Sequence, residues 1–231
     1  EMGRLAHQIN KMTRGLRQRL ELAKFVSDET FRAVEQTEAV ERVGDRRQVT
    51  VLFSDIRGFT AYSETREPEQ VVEMLNAYLQ VQAEVVIKHG GDIDKFVGDE
   101  LMARFDNEGQ SARAVEAAVE MVEAVHRLNR ARGPDADEMA VGVGINTGEV
   151  IVGAMGAESR MDYTVIGDAV NLGAKLCSAA GGGQIVVSET TRSACGDLQS
   201  IGFEPIEPIR VKGKTQPINV SLAVRTGPKP D

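Results

Sequence analysis

The chain has 231 residues, 42% of them apolar, enough for one full core domain plus an appendage. A formal net charge of −8 argues against a broad nucleic-acid-binding surface, and with no tryptophan and 4% aromatics no stacking platform for bases is evident. No apolar run of about 18 residues occurs, so no membrane-spanning helix is expected in this stretch. Cys177 and Cys195 fit no ligand spacing and read as reduced filler. The sequence opens at Glu1 in the middle of a pattern, with no signal peptide, and is expected to be a piece of a longer protein.

Met2, Leu5, Ile9, Met12 and Leu16 recur three and four apart, a heptad stripe set among Arg, Lys, Gln and Glu. It fits an amphipathic helix packed on its own domain, or a parallel coiled-coil helix that pairs two chains. After Leu20 the register slips toward Phe25 and Val26, and Ser27 or Asp28 is placed to cap a second short helix. Residues 35–47 are charged and read as a linker.

From Gln48 the texture becomes α/β. "QVTVLFSDI" is a strand with an apolar run from Val49 to Phe53. Residues 68–89 predict a helix with Pro68 in its first turn and Val71, Leu75, Tyr78, Leu79 and Val86 on one face. "GGDIDKFVGDELMARF" reads as strand, tight turn and strand, bent at Gly98 and Asp99. Residues 112–128 predict a second helix, and "MAVGVGINTGEVIVGAMG" a strand, turn and strand. Asp168 is placed to cap a third helix over 169–180, ended by Gly181 to Gly183. "QIVVS" and "NVSLAV" complete the strands, and "TGPKPD" is a tail. Strand–helix–strand–strand–helix–strand is the ferredoxin-like split βαβ order, an α+β fold.

Asp55 stands at the end of the first strand and Asp99 in the turn between the next two. In a split βαβ sheet those elements are neighbours, so the carboxylates can converge as Mg²⁺ ligands. Each alone reads equally as a turn-favouring aspartate. Gly58, Phe59 and Thr60 open a helix-like segment whose N–H groups suit phosphate oxygens. Lys95 lies an even four residues before Asp99, on one strand face. Asn171 and Lys175 lie four apart on a helix. Lys212 sits in the basic turn "VKGK". Singly, the last three read as solvated surface.

"VTVLFSDIRGFT", "DKFVGDELMARF", "GINTGEVIVGAMG", "YTVIGDAVNLGAKL" and "VKGK", in this order and spacing, resemble the catalytic domain of class III nucleotide cyclases over residues 49–224. "EMGRLAHQINKM" is similar to the second half of a HAMP linker domain, and "LAKFVSDE" to a transducing segment. The resemblance implies signalling helices over 1–44, a catalytic domain over 45–226 and a tail over 227–231. It implies an adenylyl cyclase acting on ATP with two Mg²⁺ ions, Mn²⁺ substituting, at the interface of a homodimer. It further implies control from an upstream sensor, with the full protein anchored at the cytoplasmic face of a membrane.

Position by position, Asp55 and Asp99 match the metal-binding aspartates, with the Ile56 carbonyl as a further ligand. Lys95 and Thr164 match the pair that reads the purine edge, Asn171 the ribose-orienting asparagine, and Lys212 a triphosphate-binding lysine. Two departures stand out. Lys175 occupies the place of an arginine that stabilises the transition state, and Gly142 the place where some cyclases carry a phosphate-contacting arginine. They motivate one alternative, a weak or degenerate nucleotide-binding module; a guanylyl cyclase is a separate alternative.

Overall fold

The computed structural model describes residues 12–14, 44–134, 136–157, 159–211, 214 and 216–227. Nearly all of residues 1–44, where signalling helices are expected, together with Lys212 and the tail beyond residue 227, lie outside the described residues.

The central strand β1 (Asp45–Arg57) is buried on both faces through Val49, Val51, Leu52 and Phe53, which is why its sequence is a continuous apolar run. A short helix α1 (Phe59–Ser63) leads into α2 (Pro68–Lys88), which Pro68 opens as its first residue. Then follow β2 (Asp92–Val97), β3 (Glu100–Phe105) and α3 (Gln110–Arg132). After them come β4 (Ala140–Ala157), β5 (Arg160–Ile166) and α4 (Asp168–Ala179). The chain ends with β6 (Ile185–Ser188), α5 (Glu189–Cys195), β7 (Ile201–Ile209) and β8 (Ile218–Arg225).

One eight-stranded sheet runs β2-β3-β1-β4-β6-β8-β7, with β5 paired to β4 off this path. The portion β2-β3-β1-β4, with α2 and α3 as crossovers, is the expected split βαβ arrangement. Side-chain alternation divides the core. Leu52 and Ile56 join Leu101, Phe105, Tyr78, Met121 and Val125 under α2 and α3. Val51, Phe53 and Met102 face the other way, with Ala169 and Cys177 of α4. Truncating a fully buried residue such as Leu52 to Ala is worth roughly 2–5 kcal/mol.

"MAVGVGINTGEVIVGAMG" contains no turn and forms one 18-residue strand. β1 pairs with it in unbroken register from Arg57↔Ala140 to Asp45↔Val152, and β5 takes over from Ile151 outward. The glycines that mimic a turn signal instead let α4 approach. A Cβ on Gly144 would lie 2.0 Å from the Cys177 backbone nitrogen, and one on Gly148 would lie 2.7 Å from Ala169 Cβ. Asp168 also differs from expectation. Gly167 holds the cap position of α4, and Asp168 is the first helical residue, where its charge suits the helix N-terminus and pairs with Lys214.

Candidate active site

Asp55 and Arg57, two apart on β1, share the face that α4 covers. Asp55 stands directly opposite Glu100 on β3 and Gly142 on β4. Arg57 donates from Nη1 to Asp55 Oδ1 at 2.7 Å and from Nη2 to the Cys177 carbonyl of α4. Its guanidinium fills the volume beside Gly142, where a Cβ would come within 2.3 Å of Nη2. Burial raises the Asp55 carboxyl above its usual value; Arg57 opposes that shift and Asp99 adds to it. Burial, then Asp55 and Asp99, raise Glu100 in the same way. The Asp99 charge thus acts on both Asp55 and Glu100, which is a third carboxylate at this end of the sheet.

Ile56 has its side chain in the core at 1% exposure. Gly58 takes a left-handed φ of 81°, turning the chain out of β1, and Phe59 and Thr60 begin α1. Phe59 packs against the main core, while Gly58 and Thr60 are exposed.

Lys95 and Thr164 come from distant parts of the chain and meet at Asp94. The Thr164 hydroxyl donates to Asp94 Oδ2 at 2.7 Å, and Lys95 Nζ lies 3.3 Å from the same oxygen. Thr164 sits on β5, opposite Gly153 of β4.

Asn171 and Lys175 lie on successive turns of α4, Asn171 exposed and Lys175 half-buried. The helix is held from below by Asn146, 2% exposed, whose Nδ2 donates to the Ala169 carbonyl at 2.9 Å. Gly173 meets Val51 and Phe53 of β1. Lys212 lies outside the described residues. Cys177 and Cys195 are free and buried, and burial pushes both thiols up to about 12, so neither is a nucleophile at neutral pH.

Sequence reasoning missed Asp94, Arg57 and Glu100. The i, i+2 spacing of Asp55 and Arg57 was a signal for a shared face. Cross-strand partners such as Glu100 and Gly142 carry no such mark.

The family described as the adenylate and guanylate cyclase catalytic domain matches residues 41–223. An adenylate cyclase of Anabaena cylindrica is 32% identical over 95% of this chain and 47% of its own length. Among solved structures, the guanylyl cyclase Cya2 matches at 40% identity with a TM-score of 0.72, covering 80% of this chain and 95% of its own. The adenylyl cyclase CyaB from P. aeruginosa matches at 38% identity and a TM-score of 0.73, covering 79% and 96%. Fold and relatives together define a nucleotidyl cyclase catalytic domain. The chain belongs to the adenylate and guanylate cyclase catalytic domain family. It spans less than half of the Anabaena protein's length, and its neighbours include both adenylyl and guanylyl enzymes. Among the described residues no helix is long and apolar enough to cross a membrane.

Proposed function

We propose that this domain converts ATP to 3′,5′-cyclic AMP and pyrophosphate at sites shared between two copies of the chain. The observation that carries the reading is the place of Asp55 at the end of β1, directly opposite Glu100 and so beside the β2–β3 turn that carries Asp99, whose charge adds to the raised Asp55 carboxyl. The donors there are hard oxygens, the two carboxylates and the Ile56 carbonyl, which suit Mg²⁺ with Mn²⁺ as a substitute. Among the described residues no three acidic, thiol or imidazole side chains form a closed metal cage. Mg²⁺ is ordinarily held by one or two carboxylates, with water and substrate phosphates completing its shell.

When bound, two such ions acidify the ribose 3′-hydroxyl and offset charge on the departing pyrophosphate. The chain's own residues supply binding and alignment. Gly58, Phe59 and Thr60 offer backbone N–H groups to the triphosphate, with Lys212 as a further contact. Lys95 and Thr164 read the base, Asn171 orients the ribose, and Lys175 faces the charge that grows as the 3′-oxygen bonds to the α-phosphorus and the α–β anhydride breaks. Asp55 and Asp99 come from one copy; Lys95, Thr164, Asn171 and Lys175 come from the other. Mixing Asp55→Ala with Asn171→Ala protein then restores activity, because the mixed dimer holds one intact site. No recovery, with subunit exchange demonstrated, overturns the shared site.

The helices over 1–44 are read as the link to an upstream membrane sensor, rotating or shifting the two domains. Deleting 1–44 is expected to change dimer affinity and activity together.

The test is incubation with ATP or GTP and Mg²⁺ or Mn²⁺, measuring both cyclic nucleotides across protein concentrations. Cyclic AMP that rises faster than linearly with protein and vanishes in Asp55→Ala supports the reading; dominant cyclic GMP overturns the substrate. Lys175 favours a second reading, a nucleotide-binding module with slow turnover. It keeps the charge of the usual arginine but loses the planar donor fork. Lys175→Arg is expected to raise kcat about tenfold or more. ATP binding without product in both forms favours the module.

A further inference from the structure

We propose that Asp94 sets the hydrogen-bond polarity of the base-reading pair, committing Thr164 to accept and Lys95 to donate, the pattern that fits the edge of adenine. The proposal rests on the assignment of Lys95 and Thr164 to the base.

Asp94 owes its position to an irregularity in the sheet. β2 and β3 pair as Ile93↔Ala103 and then Lys95↔Met102, so Asp94 is an extra residue in the ladder. A bulge of this kind breaks the strict alternation of side chains and re-aims one of them. Consecutive residues Asp94 and Lys95 thereby come together, with the Asp94 side chain only 1% exposed. A carboxylate so far from water needs partners. Its Oδ2 has two, the Thr164 hydroxyl at 2.7 Å and Lys95 Nζ at 3.3 Å.

A threonine hydroxyl has one proton to donate and lone pairs to accept with. With that proton given to Asp94, only lone pairs remain for a ligand. Lysine has donors and no acceptor, and the shared carboxylate holds its ammonium beside Thr164. Adenine presents an amino donor at C6 and an acceptor at N1, complementary to this pair. Guanine presents an acceptor at C6 and a donor at N1, so each contact sets like against like. A buried polar site rejects a ligand of opposite polarity strongly, because its groups are left unpaired. Thr164 by itself, free to rotate its hydroxyl, would serve either base.

The test compares wild type, Asp94→Ala, Thr164→Val and the double variant. It reads kcat/KM for ATP and GTP and equilibrium affinities for the α,β-methylene analogues of both. Asp94→Ala is expected to lower the ATP-to-GTP selectivity about tenfold or more in both measures. Thr164→Val does the same, and the double variant adds little, because Asp94 acts through Thr164. Asp94→Asn, which retains an oxygen acceptor, is expected to keep selectivity within about threefold of wild type. An equal loss for both nucleotides in Asp94→Ala, or additive losses in the double variant, overturns the proposal. If Asp94→Ala does not fold, Asp94→Ser, too short to reach Thr164, takes its place. No product from wild type, with an adenine preference in analogue binding that Asp94→Ala removes, sinks the turnover reading and keeps this one. Wild-type preference for guanine, or binding of neither analogue, overturns both.

Discussion

Two corners of the sheet treat buried acid in opposite ways. At the β2–β5 contact, one carboxylate, Asp94, is 1% exposed and serves both a hydroxyl and an ammonium. At the end of β1, burial and the Asp99 charge raise the proton affinity of Asp55, burial, Asp55 and Asp99 raise that of Glu100, and Arg57 opposes the shift at both. The Asp55 side chain is 30% exposed. At the first corner Asp94 Oδ2 finds both of its partners within one chain, the arrangement on which the proposed base selectivity rests. The second sets three carboxylates against one guanidinium, the excess of negative charge on which the proposed cation binding rests. On the proposed roles the difference is one of preorganisation: selectivity would be folded in, while catalytic charge would be left for the ligand to balance.

The largest expected effect breaks the second corner. Asp55→Ala or Asp99→Ala should each cut cyclic nucleotide formation by about 10²–10³-fold or more. The melting temperature should move little, because each change relieves repulsion. Asp94→Ala should show the opposite balance, with altered selectivity and a melting temperature lowered by several degrees. It removes the carboxylate that accepts from the half-buried Thr164 hydroxyl and pairs with Lys95, a loss of about 1–2 kcal/mol. Activity assays beside melting curves check the contrast. An Asp55→Ala protein that turns over normally would remove the metal assignment.

The charge excess also predicts a pH dependence. Burial, Asp55 and Asp99 raise Glu100 above its ordinary value of 4.5 in the folded chain. A carboxyl raised on folding contributes stability that is fully present below 4.5 and lost as pH rises through the folded value. Ionised Glu100 therefore counts against the metal-free fold at neutral pH. In chelator, Glu100→Gln should melt about 1–3 °C higher than wild type at pH 7 and show a shallower decline above pH 4.5. A lower melting point at pH 7 would mean that attraction to Arg57 outweighs the repulsion.

Much of the scaffold was legible in the sequence because it is periodic. The run from Val49 to Phe53 and the face of Leu75, Tyr78 and Leu79 belong to β1 and α2 as expected. The ordered motifs also singled out Lys95 and Thr164, distant in sequence, which the fold brings to one carboxylate oxygen of Asp94. Two kinds of feature stayed hidden. Glycine reads as a turn signal, so Gly144 and Gly148 masked the length of β4, although their purpose is contact with α4. Cross-strand register and the bulge at Asp94 depend on pairings that no local pattern encodes. Gly142 combines both difficulties. It reads as the loss of an arginine, yet the Arg57 guanidinium from the adjacent strand occupies the space beside it.

Gly142 thus offers the gentlest way to sharpen the comparison. A methyl group there would lie 2.3–2.4 Å from Nη2 and Nε of Arg57, the far end of a flexible side chain. The guanidinium can swing away, so Gly142→Ala should change stability by less than about 1 kcal/mol. Displacement would separate Arg57 from Asp55 and from the Cys177 carbonyl, leaving Asp55 free of its competing cation. The Mn²⁺ concentration for half-maximal binding, followed by titration of the nucleotide-bound protein, should fall about two- to fivefold, since a partly exposed ion pair such as Arg57–Asp55 is worth about 1 kcal/mol. Arg57→Gln should produce a shift of the same sign. A weaker Mn²⁺ affinity in both variants would show that Arg57 orients Asp55 for the cation and does not compete with it. The acidic corner would then be preorganised in the same sense as the Asp94 site.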